Sequence, residues 1–302
     1  MERERWLRLY HLAAETSRRW LYGVRFNTAC IVGVYLWAVV HDRPVSWACQ
    51  RKNWSGDCRF RRLPSQSTMS RRMQSRPVQQ LLNLMEVAMK EVSQPGLPSA
   101  GIPIVETVAE PLPPRVIDAK PLPIGSYSKD PDSRCGRAAG GFGRGYKFYA
   151  IWGQAAVPDA WEVRSMNIHE VRMAEVMIPR LRGSRRLLGD AIYDSSELFD
   201  FAFARGQELI APPRRKAKSN REYPQSSLRK KAHAYLANGG WQTFHKERVQ
   251  IERNFGNWTS FSGGLAPLPS WVRRLPRVLR WIQAKLIINA DRILQRRQIA
   301  TA

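Results

Sequence analysis

The sequence predicts a helical N-terminal domain followed by a mixed α/β domain whose sheet carries helices on its faces. Three observations lead there. Apolar residues recur at helical spacing over the first 94 positions, a proline-rich break follows, and from residue 115 strand-like runs alternate with helical ones.

Taken in order, Trp6, Leu9, Tyr10, Ala13 and Trp20 fall near a helical period. Thr28–Val40 (TACIVGVYLWAVV) is apolar throughout, as a buried segment would be. It is shorter than the roughly 20 residues that a membrane-spanning helix needs. After the basic stretch Arg51–Arg62, Ser65 or Ser67 can cap a short helix bearing Arg71 and Arg72. Val78, Leu81, Leu82, Met85, Met89 and Val92 then mark an amphipathic helix. This pair suits a helix-turn-helix unit near 63–92, or equally a small bundle with a solvated arginine face. From Pro95 to Pro114, six prolines and two glycines interrupt any regular element and read as a linker.

Beyond the linker, Arg115–Asp118 is a short apolar strand ending in an acid, and Gly145–Trp152 alternates as a strand with Trp161–Asn167 beside it. A helix over 168–181 follows, then a second apolar strand ending in an acid, Arg186–Asp190. Ser195 or Ser196 caps a helix through Arg205, Glu208–Ala211 is a short strand, and helices cover 244–258 and 271–297. The expected divisions are a helical domain over 1–94, a linker over 95–114, and an α/β domain over 115–297 with a basic insertion at 212–243. Gly140–Gly145 is glycine-rich but precedes a strand instead of joining one to a helix. It therefore reads as a flexible turn and not as a dinucleotide loop.

Charge narrows the function. The 49 Lys+Arg against 25 Asp+Glu give a net charge of +24, while a hydrophobic fraction of 43% excludes a disordered basic tail. Residues 1–99 carry +9, residues 100–213 are neutral, 214–253 carry +8 and 254–302 carry +7. A polyanionic partner is implied, and it would meet the flanks of a neutral centre. The N-terminus lacks a signal-type apolar stretch. Four cysteines without CxxC spacing read as reduced thiols in a cytosolic protein, and Cys49 with Cys58 has no evident partners for zinc.

The acids at strand ends are the chemical candidates. Asp118 and Asp190 each end an apolar strand, where an ionised carboxylate is costly unless paired or metal-bound. Glu252 lies four residues after Arg248, so both fall on one helix face. Three such carboxylates can bind two hard divalent cations, or they can be ordinary caps and ion pairs. Asp130 and Asp132 sit in a turn and Asp194 at a helix start, positions where Asp is common for local hydrogen bonds. Trp241 and Trp258 are the tryptophans placed to stack on a displaced base.

Four segments in order carry a resemblance. Ile117-Asp118-Ala-Lys-Pro-Leu-Pro, Gly145-Tyr-Lys-Phe-Tyr-Ala, Gly189-Asp190-Ala-Ile-Tyr-Asp-Ser195 and Arg248-x-x-x-Glu252-Arg-Asn-Phe-Gly256 together resemble the catalytic core of DDE transposases, more narrowly insertion-sequence families four and five, over about residues 112–297. The resemblance implies a ribonuclease H-like fold in which Asp118, Asp190 and Glu252 hold two Mg²⁺ or Mn²⁺ ions. It implies cleavage of double-stranded DNA at element ends, transfer of the freed 3′-hydroxyl to target DNA, and Arg248 contacting a phosphate or orienting Glu252. A homodimer in a synaptic complex and a place on the nucleoid of a prokaryotic cytoplasm follow from the same likeness. His245 and Thr259 stand where the family often has Tyr and Lys. That departure keeps two rivals open: a nuclease that cuts without joining, and an inactive DNA-binding protein derived from a transposase. Expected phosphate contacts are Arg71, Arg72, Lys147, Arg214, Arg215, Lys216, Lys218, Arg229, Lys230, Lys231, Arg273 and Arg274, although a charge run is also an ordinary solvated surface.

Overall fold

A computed structural model describes residues 2–17, 25–54, 60–93, 113–125, 127–138, 141–214, 225–260, 265 and 268–301, with side chains over 250–260 described only at Glu252 and Gly256. The chain divides into two compact units, one formed by residues 1–99 with 261–265 and 269–302, the other by 100–260 with 266–268.

The described part of the first unit is helical. Helix α2 (Thr28–Val40) is its centre, and each of its residues is buried, as a helix apolar on all sides must be. Asn27 caps it, accepting from the Cys30 amide at 2.7 Å. Around it pack α1 (Glu2–Thr16) through Trp6, Leu9 and Ala13, and α5 (Arg76–Ser93) through Val78, Leu81, Leu82, Met85 and Met89. Between these elements lie the short α3 (Val45–Ala48) and α4 (Gln66–Arg72). Ser65 is the cap of α4, accepting from the Thr68 amide at 3.2 Å, and three residues separate α4 from α5.

The last helix, α10 (Leu275–Thr301), belongs to this unit, so the α/β domain does not extend to 297 as expected. Its apolar side (Val278, Ile282, Leu286, Ile287, Ala290) packs on α2, α5 and α1. Buried polar side chains fix the register. Lys285 donates to Val39 O at 3.1 Å and pairs with Asp42, placing a cation at the C-terminal end of α2 where the helix dipole favours one. Gln283 bonds Asn83 and Glu86 of α5, and Asp291 takes a bidentate pair of bonds from Arg8 at 2.7 and 2.8 Å. Apolar spacing had identified the helix but could not name its partners.

An aromatic cluster seals the α1–α2 contact. Trp37 stacks on Trp54 at 4.8 Å, Trp6 on Tyr10 at 5.4 Å, and Trp6 Nε1 donates to Gly33 O at 2.8 Å. Gly33 permits that approach, because a Cβ there would lie 2.7 Å from Tyr10 Cδ2 and 3.1 Å from Phe60 Cζ. Gly33→Ala is expected to destabilise the protein by about 1–3 kcal/mol through overpacking, measured by denaturant unfolding monitored through tryptophan fluorescence.

The second unit is a mixed α/β domain. Among the described residues its sheet has six strands: β1 (Arg115–Pro123), β2 (Arg134–Ala138), β3 (Gly141–Trp152), β4 (Ala160–Ser165), β5 (Arg185–Leu188) and β6 (Gln207–Ile210). The order is β2-β3-β1-β5-β6. β2 and β4 share one edge of β3, pairing with 141–145 and 146–151 in turn. β1 runs antiparallel to β3 but parallel to β5, and β5 runs parallel to β6. The glycine-rich stretch is a correction to the sequence reading: residues 141–145 are strand, since β2 supplies the pairing partner that local pattern does not reveal. On one face Ile117, Tyr149, Ile151, Leu187 and Leu209 form a core with α6 (Glu170–Met177) and α7 (Ser196–Phe203). The basic insertion contains a helix that the sequence reading lacked, α8 (Ser227–Tyr235), whose Ala232 and Leu228 join this core. A tight turn over Leu236–Gly240 leads to α9 (Trp241–Ser260).

Candidate active site

Strand pairing brings the two aspartates together. β1 and β5 are parallel neighbours with Val116 opposite Leu188; Asp118 follows Val116 by two residues within β1, and Asp190 follows Leu188 by two residues, just past the end of β5. Gly189 lies just before Asp190, and its amide donates to Ile210 O at 3.0 Å. A Cβ at Gly189 would lie 2.9 Å from Tyr193 Cδ2 and 3.2 Å from Ile117 Cγ2, so glycine is what lets the tyrosine ring pack against this backbone. Asp190 caps the short turn Ala191–Tyr193, accepting from the Ile192 amide at 2.9 Å.

The electrostatics single out Asp118. Burial pushes its carboxyl up to about 6. The Ala119 amide at 2.7 Å and the charge of Arg248 oppose that rise, whereas Asp190 and Glu170 add to it. Tyr193 is fully buried and its hydroxyl has no hydrogen-bond partner among the described residues. Its phenol is raised well above the ordinary value, first by burial and then by the negative charges of Glu170, Asp118 and Asp190. A half-buried carboxyl raised in this way, beside further carboxylates, is an environment that a cation would relieve, and its donors are the hard oxygens that divalent ions prefer.

Helix α9 supplies the remaining candidates. Arg186 lies on the same strand face as Leu188 and Asp190, and it donates to Glu247 of α9 at 3.1 Å, fastening the helix to that face. Arg248 Nε donates to Glu252 Oε1 at 2.7 Å within one helix face. The expected triad is therefore brought together only in part. Asp118, Asp190 and Arg248 interact, and Glu252 is held by Arg248. Among the described residues no three Asp, Glu, His or Cys side chains gather closely enough to hold one ion. Like charges repel, so a carboxylate one helical turn from a guanidinium takes that partner.

Two acidic residues around the site have roles that the sequence did not reveal. Glu170, in the first turn of α6, acts on Asp118 and is held by Lys147 Nζ at 2.9 Å. Asp194 is more than a local cap. Its carboxylate takes the Arg214 amide at 2.8 Å, both Nε and Nη2 of Arg229 at 2.6 Å, and His233 at 3.0 Å. Arg214 also donates from its guanidinium to Ala191 O and Ile192 O, so the turn that carries Asp190 is tied to α8 and to the segment after β6.

These contacts revise several expected phosphate contacts. Lys147 is buried against Glu170, Arg229 is committed to Asp194, Arg214 to the Ala191–Ile192 carbonyls, and Arg273 to Pro269 O and Val272 O. Arg71, Lys230, Lys231 and Arg274 are exposed and Arg72 is half-buried. Arg215, Lys216 and Lys218 lie outside the described residues, as do Cys58 and the side chains of Trp258 and Thr259. Trp241 is half-exposed and stacks on His245 with centroids 6.4 Å apart. Asp130 bonds the Asp132 amide at 3.1 Å as a turn aspartate does, and it also accepts from the buried Tyr146 hydroxyl at 2.6 Å. Cys30, Cys49 and Cys135 are free thiols. No helix among the described residues is long and apolar enough to cross a membrane.

Comparison with known proteins agrees with this geometry. No curated protein and no solved structure gives a significant match. A family model described as the transposase DDE domain matches residues 110–274, more than half of the chain. That span begins before β1, includes Asp118, Asp190, Arg248 and Glu252, and stops one residue short of α10. The chain belongs to the transposase DDE-domain family.

Proposed function

We propose that the protein is a DNA transposase whose second unit is ribonuclease H-like, cuts DNA at the ends of a mobile element and joins the freed 3′-hydroxyl to target DNA. The observation that carries this reading is that Asp118 of β1 and Asp190, just past the end of the neighbouring parallel strand β5, act on one another electrostatically inside the span that the family model matches. Asp118 and Asp190, with Glu252, would hold divalent cations, two Mg²⁺ or Mn²⁺. Such ions supply Lewis-acid polarisation of the scissile phosphate and of the attacking oxygen.

The chain's own residues prepare the site. Partial desolvation of Asp118 beside Asp190 favours a bound cation. Glu252 completes the donor set by leaving Arg248, and the freed guanidinium then faces a DNA phosphate, for which its planar fork is suited. The Arg186–Glu247 pair keeps α9 against the sheet while that exchange takes place. Exposed Arg71, Lys230, Lys231 and Arg274 hold the DNA backbone, and two chains in a dimer would bring two element ends together.

The test uses purified full-length protein on DNA carrying the element's ends, in Mg²⁺ or Mn²⁺. Products with element 3′ ends covalently joined to target DNA are expected. Nicking without joining would make the protein a nuclease. Binding without nicking would make it an inactive DNA-binding protein.

A further inference from the structure

The helical unit holds a cavity of about 220 Å³ bounded by α2, α3, α4, the segment at Trp271–Val272 and the start of α10. Among the described residues its wall carries two arginines, Arg277 and Arg280, uncharged polar groups that include Tyr35, Gln66 and Ser70, and no carboxylate. Tyr35 is 6% exposed, and its hydroxyl bonds to none of the described residues. The Arg280 guanidinium is half-buried and likewise makes no hydrogen bond or ion pair with the described residues. Burial holds Arg280 below its ordinary value; Tyr35 acts in the opposite direction, while the nearby charge is a second cation, Arg277.

This arrangement is costly as pure structure. A desolvated guanidinium beside another cation destabilises the fold unless an anion joins it. Elsewhere in the same unit, buried charges are matched, with Lys285 on Asp42 and Asp291 on the Arg8 guanidinium. The cavity therefore has the chemistry of an anion site whose anion comes from outside the chain. α4 contributes Ser70 to it, and the next residue, Arg71, is exposed. With a net charge of +24 on the protein, the polyanion already implied is DNA.

We infer that the Tyr35–Arg277–Arg280 cavity of the helical unit is a binding pocket for one backbone phosphate of duplex DNA, gripped by the two guanidinium groups and the Tyr35 hydroxyl. The inference rests on the transposase reading for its ligand, while the pocket itself rests on the cavity and its unmatched charges. Apart from the reaction centre, it gives the helical unit a defined anchor on the DNA.

The test is fluorescence anisotropy of a labelled duplex with the full-length protein over a salt series, comparing wild type with Arg280→Met, Arg280→Lys and the exposed-site variant Arg277→Gln. Arg280→Met is expected to weaken binding and to lower the slope of log K against log salt by about 0.9, the value for one phosphate. Its melting temperature should hold or rise, since an unmatched charge has been removed. Arg280→Lys should recover most of the slope, and Arg277→Gln should move in the same direction as Arg280→Met. Wild-type affinity and slope in both Arg280→Met and Arg277→Gln would overturn the inference. So would a rise in melting temperature on adding inorganic phosphate that depends on Arg280 while DNA binding does not, because the pocket would then serve a free anion. If wild type cuts and joins DNA but the slopes are unchanged, the pocket alone fails. If wild type binds no DNA at all, the transposase reading fails with it.

Discussion

Asp118→Ala and Asp190→Ala are each expected to lower DNA strand cleavage by about 10³-fold or more, a loss of at least ~4 kcal/mol of transition-state stabilisation. DNA binding should stay within a few-fold of wild type, because neither side chain is among the exposed cations. The two substitutions should be nearly as severe singly as together, since each removes a donor that the other cannot replace. Stability separates a reactive role from a structural one. Burial opposes the charged form of Asp118, so removing its carboxyl should leave the melting temperature unchanged or higher. Cleavage assays run beside thermal melts decide the matter. Activity that disappears only with a falling melting temperature would sink the assignment of Asp118 to the reaction centre. Glu252→Ala should show the same loss of cleavage, whereas Arg248→Ala, which frees Glu252 but removes the proposed phosphate contact, should retain part of it.

The largest effect on stability is expected at Asp194. Its side chain is fully buried and takes four hydrogen bonds, two of them from Arg229. Asp194→Ala leaves the Arg214 amide, the Arg229 guanidinium and His233 without their acceptor, and about 3–5 kcal/mol should be lost. The pH dependence is distinctive. Burial by itself would raise the Asp194 carboxyl, but the bonds from Arg229 and from the Arg214 amide, with the charges of Arg229 and His233, carry it below its ordinary 3.8. The folded state therefore holds the ionised form more firmly than the unfolded chain does. The resulting stabilisation is present above pH 3.8 and is lost as the pH falls from there through the folded-state value. Urea unfolding at pH 7 and at pH 3 should show a larger gap between wild type and Asp194→Ala at the first pH than at the second. Cleavage should fall as well, because the same network holds the turn that carries Asp190. An equal gap at both pH values would mean that Asp194 is not the group titrating.

What the sequence reveals, and what it hides, divides along a physical line. Asp118 and Asp190 are legible because an acid at the end of an apolar strand is a local anomaly, and Arg248 with Glu252 because four residues make one helical turn. Trp6, Leu9 and the Val78–Met89 series are legible for the same reason: their period is written in the chain. Lys147 and Arg229 look like free cations because their partners, Glu170 and Asp194, lie 23 and 35 residues away, and composition does not distinguish a matched charge from an unmatched one. Strand β2 escapes notice because its glycine and two arginines acquire strand character only through pairing with 141–145. Helix α8 hides in a basic run whose few apolar residues, Leu228 and Ala232, find their core only in three dimensions. Glu170 has one visible signal, an acid in the first turn of a helix, which is too common to mark a site.

The return of α10 to the helical unit has a consequence in time as well as in space. Arg8 and Asp291, which bond across that unit, are separated by 283 residues of chain. On a ribosome the α/β unit is complete and free to fold while the helix that closes the helical unit is still unmade. The first helices must wait with part of their apolar surface uncovered, and they reach their final packing only when the last 30 or so residues emerge. A protein arranged in this way gains its reaction domain before its helical domain. A nascent chain stalled before α10 should therefore resist protease across residues 141–214 while its N-terminal helices are cut.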